Sequence, residues 1–335
     1  MSVERVDPSD EKAIATYNEL VQDAWQVDVA VLPCPFPAGE IAADGLAETG
    51  ENIVEYFLLY ENETPRGVAR MKFSDNDAPQ VMSGFLAIQP GARFKGHGTI
   101  LLDAVEQRTL ERGRSIAILR HWFSGSTLAE TAGAVFAAHH GYELGQHSDV
   151  RAHSVPLEQE SLRGANLALR LDPHYDLVLW NDACPDEIVD GMAALRETFL
   201  QEAPSGNLPP VHQRYDRTRI RREEERHRKI GETHVGAGVV HKTSGELVGY
   251  TIIDIPTTDD VECYQGVTLV RPDHRGRGLG LRLKLANITR LAESRPTARQ
   301  VVTMNAADNA AMIAHNNVIG MKLVGQSAAW VKTLI

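Results

Sequence analysis

Two short stretches of this chain combine arginine and glycine at a spacing that could hold a phosphate-bearing ligand. One is Arg93-Phe94-Lys95-Gly96-His97-Gly98 and the other is Arg275-Gly276-Arg277-Gly278-Leu279-Gly280. Both read Arg-x-x-Gly-x-Gly, and each stands after a strand-like run and before a helical one. Glycine lets the backbone turn tightly and approach a ligand with no Cβ in the way. The N–H groups at the helix start then face an anion, and the helix dipole adds to their pull. A pyrophosphate suits such a loop. A dinucleotide fingerprint has a different spacing and a parallel βαβ setting, and no Gly-Lys-Ser/Thr follows to make a P-loop.

The elements that must position these loops follow one order twice. In the first half, Asp10 to Trp25 has helical apolar spacing. Glu55 to Tyr60, Val68 to Phe73 and Gln80 to Ile88 then read as strands. The first loop opens a helix running to about Arg112, followed by a strand at Ile116 to His121, a helix at Glu130 to His140 and closing strands from Gly141. In the second half, a strand at Leu177 to Trp180 and helices at Pro185 to Gln201 and Arg214 to Lys229 precede a hairpin, Val235 to His241 and Leu247 to Ile255. Glu262 to Val270 is the next strand. The second loop opens a long helix ending near Ser294, then come a strand at Gln300 to Met304, a helix at Asn309 to Ile319 and final strands at Met321 to Lys332. The loops are offset by 275 − 93 = 182 residues. A shared order at a fixed offset marks an internal duplication. It predicts two α/β lobes, 1–160 and 161–335, with the boundary between Val155 and His174.

Composition narrows the function classes. A net charge of −11 argues against general nucleic-acid binding, since a phosphate-seeking surface is normally basic. No apolar run approaches 18 residues, so no membrane span or membrane partner is expected. The start, MSVERVDPSDEK, lacks the apolar core of a secretory signal. Cys34, Cys184 and Cys263 stand singly, with neither metal-ligand spacing nor a disulfide framework. A cytoplasmic protein without a metal is expected.

Strand, Arg-x-x-Gly-x-Gly and helix together resemble the pyrophosphate loop of the GCN5-related N-acetyltransferases, and the resemblance covers nearly the whole chain, twice. The second copy is the closer, because Val270-Arg271-Pro272-Asp273-His274-Arg275-Gly276 looks like the usual entry to that loop. In the first, Phe94 and Lys95 separate the arginine from its glycine. The resemblance implies lobes built on a mixed, mostly antiparallel sheet, splayed in the middle and flanked by helices, with acetyl-CoA as acyl donor. It implies cofactor contacts from Arg275, Gly276, Arg277, Gly278, Leu279 and Gly280, from the backbone of Leu269 and Val270 as an oxyanion site, and from Asn309. Arg93, Gly96 and Gly98 are the matching residues of the first lobe. A family segment Asn-x(6)-Tyr-x(3)-Gly keeps Asn309 and Gly320, but Asn316 stands where the tyrosine, the frequent acid toward the thiolate, is found. The first lobe puts Glu130 and Ala137 at the asparagine and tyrosine places, and looks degenerate.

Acetyl transfer needs an unprotonated amine, and a free alkylammonium titrates near about 10.4. A base is therefore required. Strand alternation puts Glu262, Tyr264, Gly266 and Thr268 on one face. The family's base falls nearest Tyr264, and Glu262 is the neighbouring carboxylate, so these two, with Asn316, are the candidate catalytic residues. His315 is an outside candidate for the thiolate. The run Val81 to Ile88 offers no carboxylate, which points to the second lobe as the catalytic one. The arginines at 214, 217, 219, 221, 222, 226 and 228, with acids at 216 and 223 to 225, read first as a solvated helix laced with ion pairs. They read second as a holder for an anionic acceptor. The expected activity is direct acetylation of a small-molecule amine, such as an aminophosphonate or an antibiotic. A non-catalytic acyl-CoA-binding or regulatory protein and a protein N-acetyltransferase are the rivals, and a homodimer stays open.

Overall fold

The computed structural model describes residues 1–29, 52–157, 172–202, 205–211, 213–256 and 261–334. The 160/161 boundary and Cys34 lie outside the described residues. The chain forms two compact units: Met1–Asp149, Ser205–Val211 and Val324–Ile335 make unit 1, and Val150–Pro204 with His212–Leu323 makes unit 2.

Unit 1 contains β1 (Ser2–Arg5), α1 (Glu11–Asp28), β2 (Asn52–Glu61), β3 (Thr64–Ser74), β4 (Val81–Ile88), α2 (His97–Glu111), β5 (Ile116–Phe123), α3 (Ala132–His139), the start of β6 (Glu143–Ser154) and most of β12 (Lys322–Thr333). The strand order is β1-β2-β3-β4-β5-β12. All these pairs are antiparallel except β4–β5. Helix α1 starts where Asp10 accepts hydrogen bonds from the N–H groups of Lys12 and Ala13, a side-chain cap that satisfies otherwise orphaned donors. It lays Tyr17, Leu20 and Val21 on Tyr56, Leu58, Val68 and Phe85. On the other face, Leu101, Leu102 and Val105 of α2 pack on Met71, Phe73 and Met82. Glu55, 1% exposed, is locked on that buried sheet by Arg108 and Arg112.

Unit 2 contains β7 (Tyr175–Asn181), α4 (Val189–Glu202), α5 (Arg217–Ile230), β8 (Thr233–His241), β9 (Leu247–Ile255), β10 (Glu262–Val270), α6 (Leu279–Ser294), β11 (Gln300–Ala306) and α7 (Ala310–Val318). The order is β7-β8-β9-β10-β11, with β6 next to β11. Only β10–β11 is parallel among the pairs from β7 to β11. Helix α6 buries Leu281, Leu285, Ile288 and Leu291 against Val235, Ile253, Cys263 and Val301. Helices α4 and α5 cover the opposite face through Val189, Met192 and Ile220, against Trp180, Tyr250, Ile252 and Leu269. This is the mixed, mostly antiparallel sheet flanked by helices that the resemblance implied. No described helix is long and apolar enough to cross a membrane.

Two features of the connectivity were not anticipated. The short β1 pairs with β2. The segment expected to end the second lobe is one strand, β12, which pairs antiparallel with β5 from Gln326↔Phe123 to Thr333↔Ile116 and so completes unit 1. Alternation marks β12 as a strand, but says nothing of which edge it joins.

Candidate active site

The loop of unit 2 has the form its sequence implies. After the short turn Pro272–His274, Arg275 donates from Nε to the carbonyl of Val270 at 2.8 Å. Gly276 and Gly278 take φ of +77° and +71°, where a side chain is strained. A Cβ on Gly276 would meet nothing within 4 Å, so the left-handed backbone and not crowding demands glycine there. A Cβ on Gly280 would sit 3.5 Å from the His315 ring. Helix α6 begins at Gly278 without a side-chain cap. By contrast α1, α3, α5 and α7 are capped by Asp10, Thr131, Asp216 and Asn309. The first N–H groups of α6 thus have no side-chain acceptor, the arrangement that receives a phosphate. Arg277 reaches toward Asp172, 3.5 Å away. Arg271, paired with Asp273, and the 2.7 Å bond between the Tyr175 hydroxyl and His274 Nδ1 brace the entry turn.

Upstream of the loop the sheet opens. Strands β10 and β11 are paired only at Glu262↔Gln300, Cys263↔Val301 and Tyr264↔Val302. Beyond Tyr264 no pairing joins them. On its other side β10 follows β9, but the register shifts between Gln265↔Ile253 and Thr268↔Thr251. Three steps on β10 match two on β9, so one extra residue bulges out at Gly266–Val267. Gln265 anchors the bulge, its Nε2 donating to Thr251 Oγ1 at 2.9 Å and the Ile252 carbonyl at 2.7 Å.

The bulge corrects the alternation argument. Cys263 packs among the α6 side chains, whereas Leu269 packs under α4 and α5, and Val270 returns to Leu279 and Leu283. Had alternation run on, odd-numbered residues would have kept one face. The extra residue flips the faces, so Thr268 does not continue the face of Glu262 and Tyr264.

The other sequence candidates are placed as follows. Glu262 begins β10, at the end still joined to β11, and Tyr264 is the last paired residue. Leu269 and Val270 follow the bulge opposite Tyr250 and Gly249. Asn309 caps α7, accepting from the Met312 N–H at 3.1 Å. Asn316 is fully buried, and its side chain is taken up by Lys284 Nζ and Asn305 Oδ1, each at 2.7 Å. Burial pushes the Lys284 ammonium down to about 8. On α5, Arg217 pairs with Asp186 and Asp190, Arg219 with Glu223, Arg221 with Asp186 and Glu224, and Arg228 with Glu225. The ion-pair reading of that helix accounts for these four.

Three residues escaped the sequence reading. Asp254 on β9 lies directly opposite both Tyr264 on β10 and His234 on β8, making a row across three strands. From α5, the His227 ring comes within 5.1 Å of the His234 ring. Donor atoms of His227, His234 and Asp254 lie within 4.8 Å of one another, a set a divalent ion could draw together although no sequence spacing announced it. A Cβ on Gly266 would sit 3.2 Å from Asp254 Oδ2, so the carboxylate stands over the bulge. Burial, then Glu232, push Asp254 up to about 6, with Arg196 opposing. The available signal was a lone carboxylate in the apolar run Leu247-Val-Gly-Tyr-Thr-Ile-Ile-Asp-Ile.

The loop of unit 1 departs from this pattern. Arg93 repeats the bond to the strand end, Nε to the Ile88 carbonyl at 3.1 Å, but its two terminal nitrogens are clamped on Asp28 at 2.7 and 2.9 Å. Phe94, 94% exposed, holds the positive φ that Gly276 holds in unit 2. Gly96 has φ +84° and α2 also starts uncapped. Gly98 makes room for the Phe136 ring, 3.0 Å from where its Cβ would be. Strand β4 leaves β5 after Gly84↔Leu119, yet it runs beside β3 with no bulge. Trp122 of β5 packs on Phe85 of β4 and on Trp25, with ring centroids 6.1 and 5.7 Å apart. Rings thus bridge the opening.

No protein-family model matches the chain. No curated protein matches it at a significant level. Among solved structures, it is similar to a tandem GNAT protein from the clavulanic acid biosynthesis pathway, at 22% identity and TM-score 0.81, over 99% of this chain and 98% of that one. It is also similar to a GCN5-related N-acetyltransferase from Sphaerobacter thermophilus, at 18% identity and TM-score 0.67, over 99% and 95% of the two chains. With two loop-splay-helix units in one chain, this protein has the fold of the tandem GCN5-related N-acetyltransferases.

Proposed function

We propose that the protein is an acetyl-CoA-dependent N-acetyltransferase of a small-molecule primary amine, with unit 2 as its catalytic unit. The observation that carries this reading is the coincidence, in unit 2, of a left-handed glycine loop, an uncapped helix start, a splayed strand pair and a bulge beside a carboxylate. Backbone N–H groups from Arg275 to Gly280 hold the pyrophosphate. The pantetheine arm lies between β10 and β11, and backbone donors of β10 between Gly266 and Val270 polarise the thioester carbonyl. The amine attacks that carbonyl directly, with no covalent enzyme intermediate. Because four arginines of α5 are paired with acids, they lend no support to an anionic acceptor. Asp254 and Glu232 favour a cationic one.

One observation favours a non-catalytic acyl-CoA-binding protein instead: Asn316, at the place of the family's tyrosine, is buried and held by Lys284 and Asn305. Purified protein given acetyl-CoA and a panel of amines should release CoA, read with a thiol reagent. Tight acetyl-CoA binding with no turnover of any amine supports the non-catalytic reading.

A further inference from the structure

We propose that Asp254, backed by His234 and His227, is the residue that takes the proton from the acceptor amine. This rests on the acetyl-transfer reading and assigns its missing base. The geometry carries it. Residues directly opposite one another on adjacent strands have Cβ atoms about 5 Å apart, and His234, Asp254 and Tyr264 stand in one such row. Asp254 also stands over Gly266, whose bare backbone leaves the carboxylate facing the bulge. Glu262, by contrast, sits where β10 and β11 are still paired, two residues short of the opening.

The surroundings suit a base. Arg196 from α4, Glu232 after α5, His227 from α5 and His234 from β8 face this carboxylate, with Tyr264 opposite on β10. The charge of Arg196 is engaged by Glu223. Burial lowers the affinity of both histidines for protons. The His234 Nδ1 is buried without a hydrogen-bond partner, and the His227 Nδ1 lies 3.6 Å from the Glu232 carboxylate. His227, 27% exposed, lies beside the buried His234 on the way to solvent. A base must lie within reach of the proton it takes, and Gly266 interposes no side chain before the Asp254 carboxylate.

The step balances. The ammonium gives one proton to Asp254, and the freed lone pair attacks the thioester carbonyl. The C–N bond forms and the C–S bond breaks on collapse of the tetrahedral adduct. The second nitrogen proton goes to the leaving CoA thiolate, and the first leaves through His234 and His227 to solvent. Products are the amide, CoA thiol and one proton.

The test compares Asp254→Asn with wild type on an alkylamine that wild type acetylates. Expected is a fall in kcat/KM of about 10²–10³-fold at pH 7, with acetyl-CoA affinity unchanged by calorimetry, which also shows that the fold persists. The deficit should shrink as pH approaches about 10.4, where the amine itself loses its proton. His234→Gln should lower kcat with KM unchanged. An Asp254→Asn rate within twofold of wild type at pH 7 overturns the assignment, as does a collapse confined to Glu262→Gln. Loss of wild-type activity in EDTA, restored by zinc, would overturn it in favour of a metal held by the same side chains. If wild type binds acetyl-CoA but turns over no amine, the acetyl-transfer reading fails first and the base with it.

Discussion

The two glycine loops differ less in sequence than in what surrounds them. Each places an arginine Nε on the carbonyl of the strand it leaves, and each opens an uncapped helix. In unit 1, however, the guanidinium is neutralised by Asp28, and Phe94 holds a backbone conformation that unit 2 gives to Gly276. Upstream of the shared motif, β10 is bulged and has Asp254 beside it, whereas β4 is unbulged and its opening is bridged by Phe85 and Trp122. A glycine loop is thus a small part of what we propose as a transferase site. The bulged strand and the room beside it distinguish the units.

The sharpest way to break this comparison is to fill the loop of unit 2. Gly278→Trp forces a bulky residue into left-handed backbone, which costs about 1–3 kcal/mol, and blocks the approach of a phosphate. Acetyl-CoA affinity by calorimetry should fall by roughly 100-fold or more, equivalent to about 2.7 kcal/mol. Gly96→Trp should leave it unchanged. The reverse result would move the working site to unit 1.

Comparable in size is the stability anchor of unit 1. Burial alone pushes the Glu55 carboxyl up, but Arg108 and Arg112 overcome this and hold it at about 2, below its ordinary 4.5. A depressed carboxylate contributes stability above its unfolded pKa and loses it as pH falls. Unit 1 should therefore weaken progressively from about pH 4.5 toward 2, by urea unfolding. Glu55→Gln should lack that slope and lose on the order of 3 kcal/mol at neutral pH, since it leaves two arginines without their buried partner.

Smaller effects sharpen individual roles. Asn309→Ala should cost about 1 kcal/mol by removing the cap of α7, measured by thermal unfolding. Unchanged acetyl-CoA affinity would make Asn309 a cap alone. Phe94→Gly should relieve strain of about 1 kcal/mol and raise Tm by roughly 2–4 °C, without conferring cofactor binding, because Asp28 still clamps Arg93.

Much of the fold was legible in the sequence. Glu262 to Val270 is a strand at the expected bounds, and Asn309 stands at the start of α7. The glycine loops were legible because positive φ and close approach restrict the residue type directly. The candidate base was not. Glu262 was favoured because it is the carboxylate on the strand that leads into the second glycine loop, while Asp254 lies one strand away and reaches the bulge only through the register of β9 on β10.

The sequence by itself determined the element order, the duplication and the two glycine loops. Burial periodicity and glycine's backbone freedom are local properties that residues carry with them. Tertiary structure alone decided that β12 completes unit 1, that β10 bulges at Gly266, and that His227, His234 and Asp254 meet. Those outcomes depend on which strand edges pair and in what register. An alternating pattern fixes which face of a strand is buried, but not which strand lies beside it.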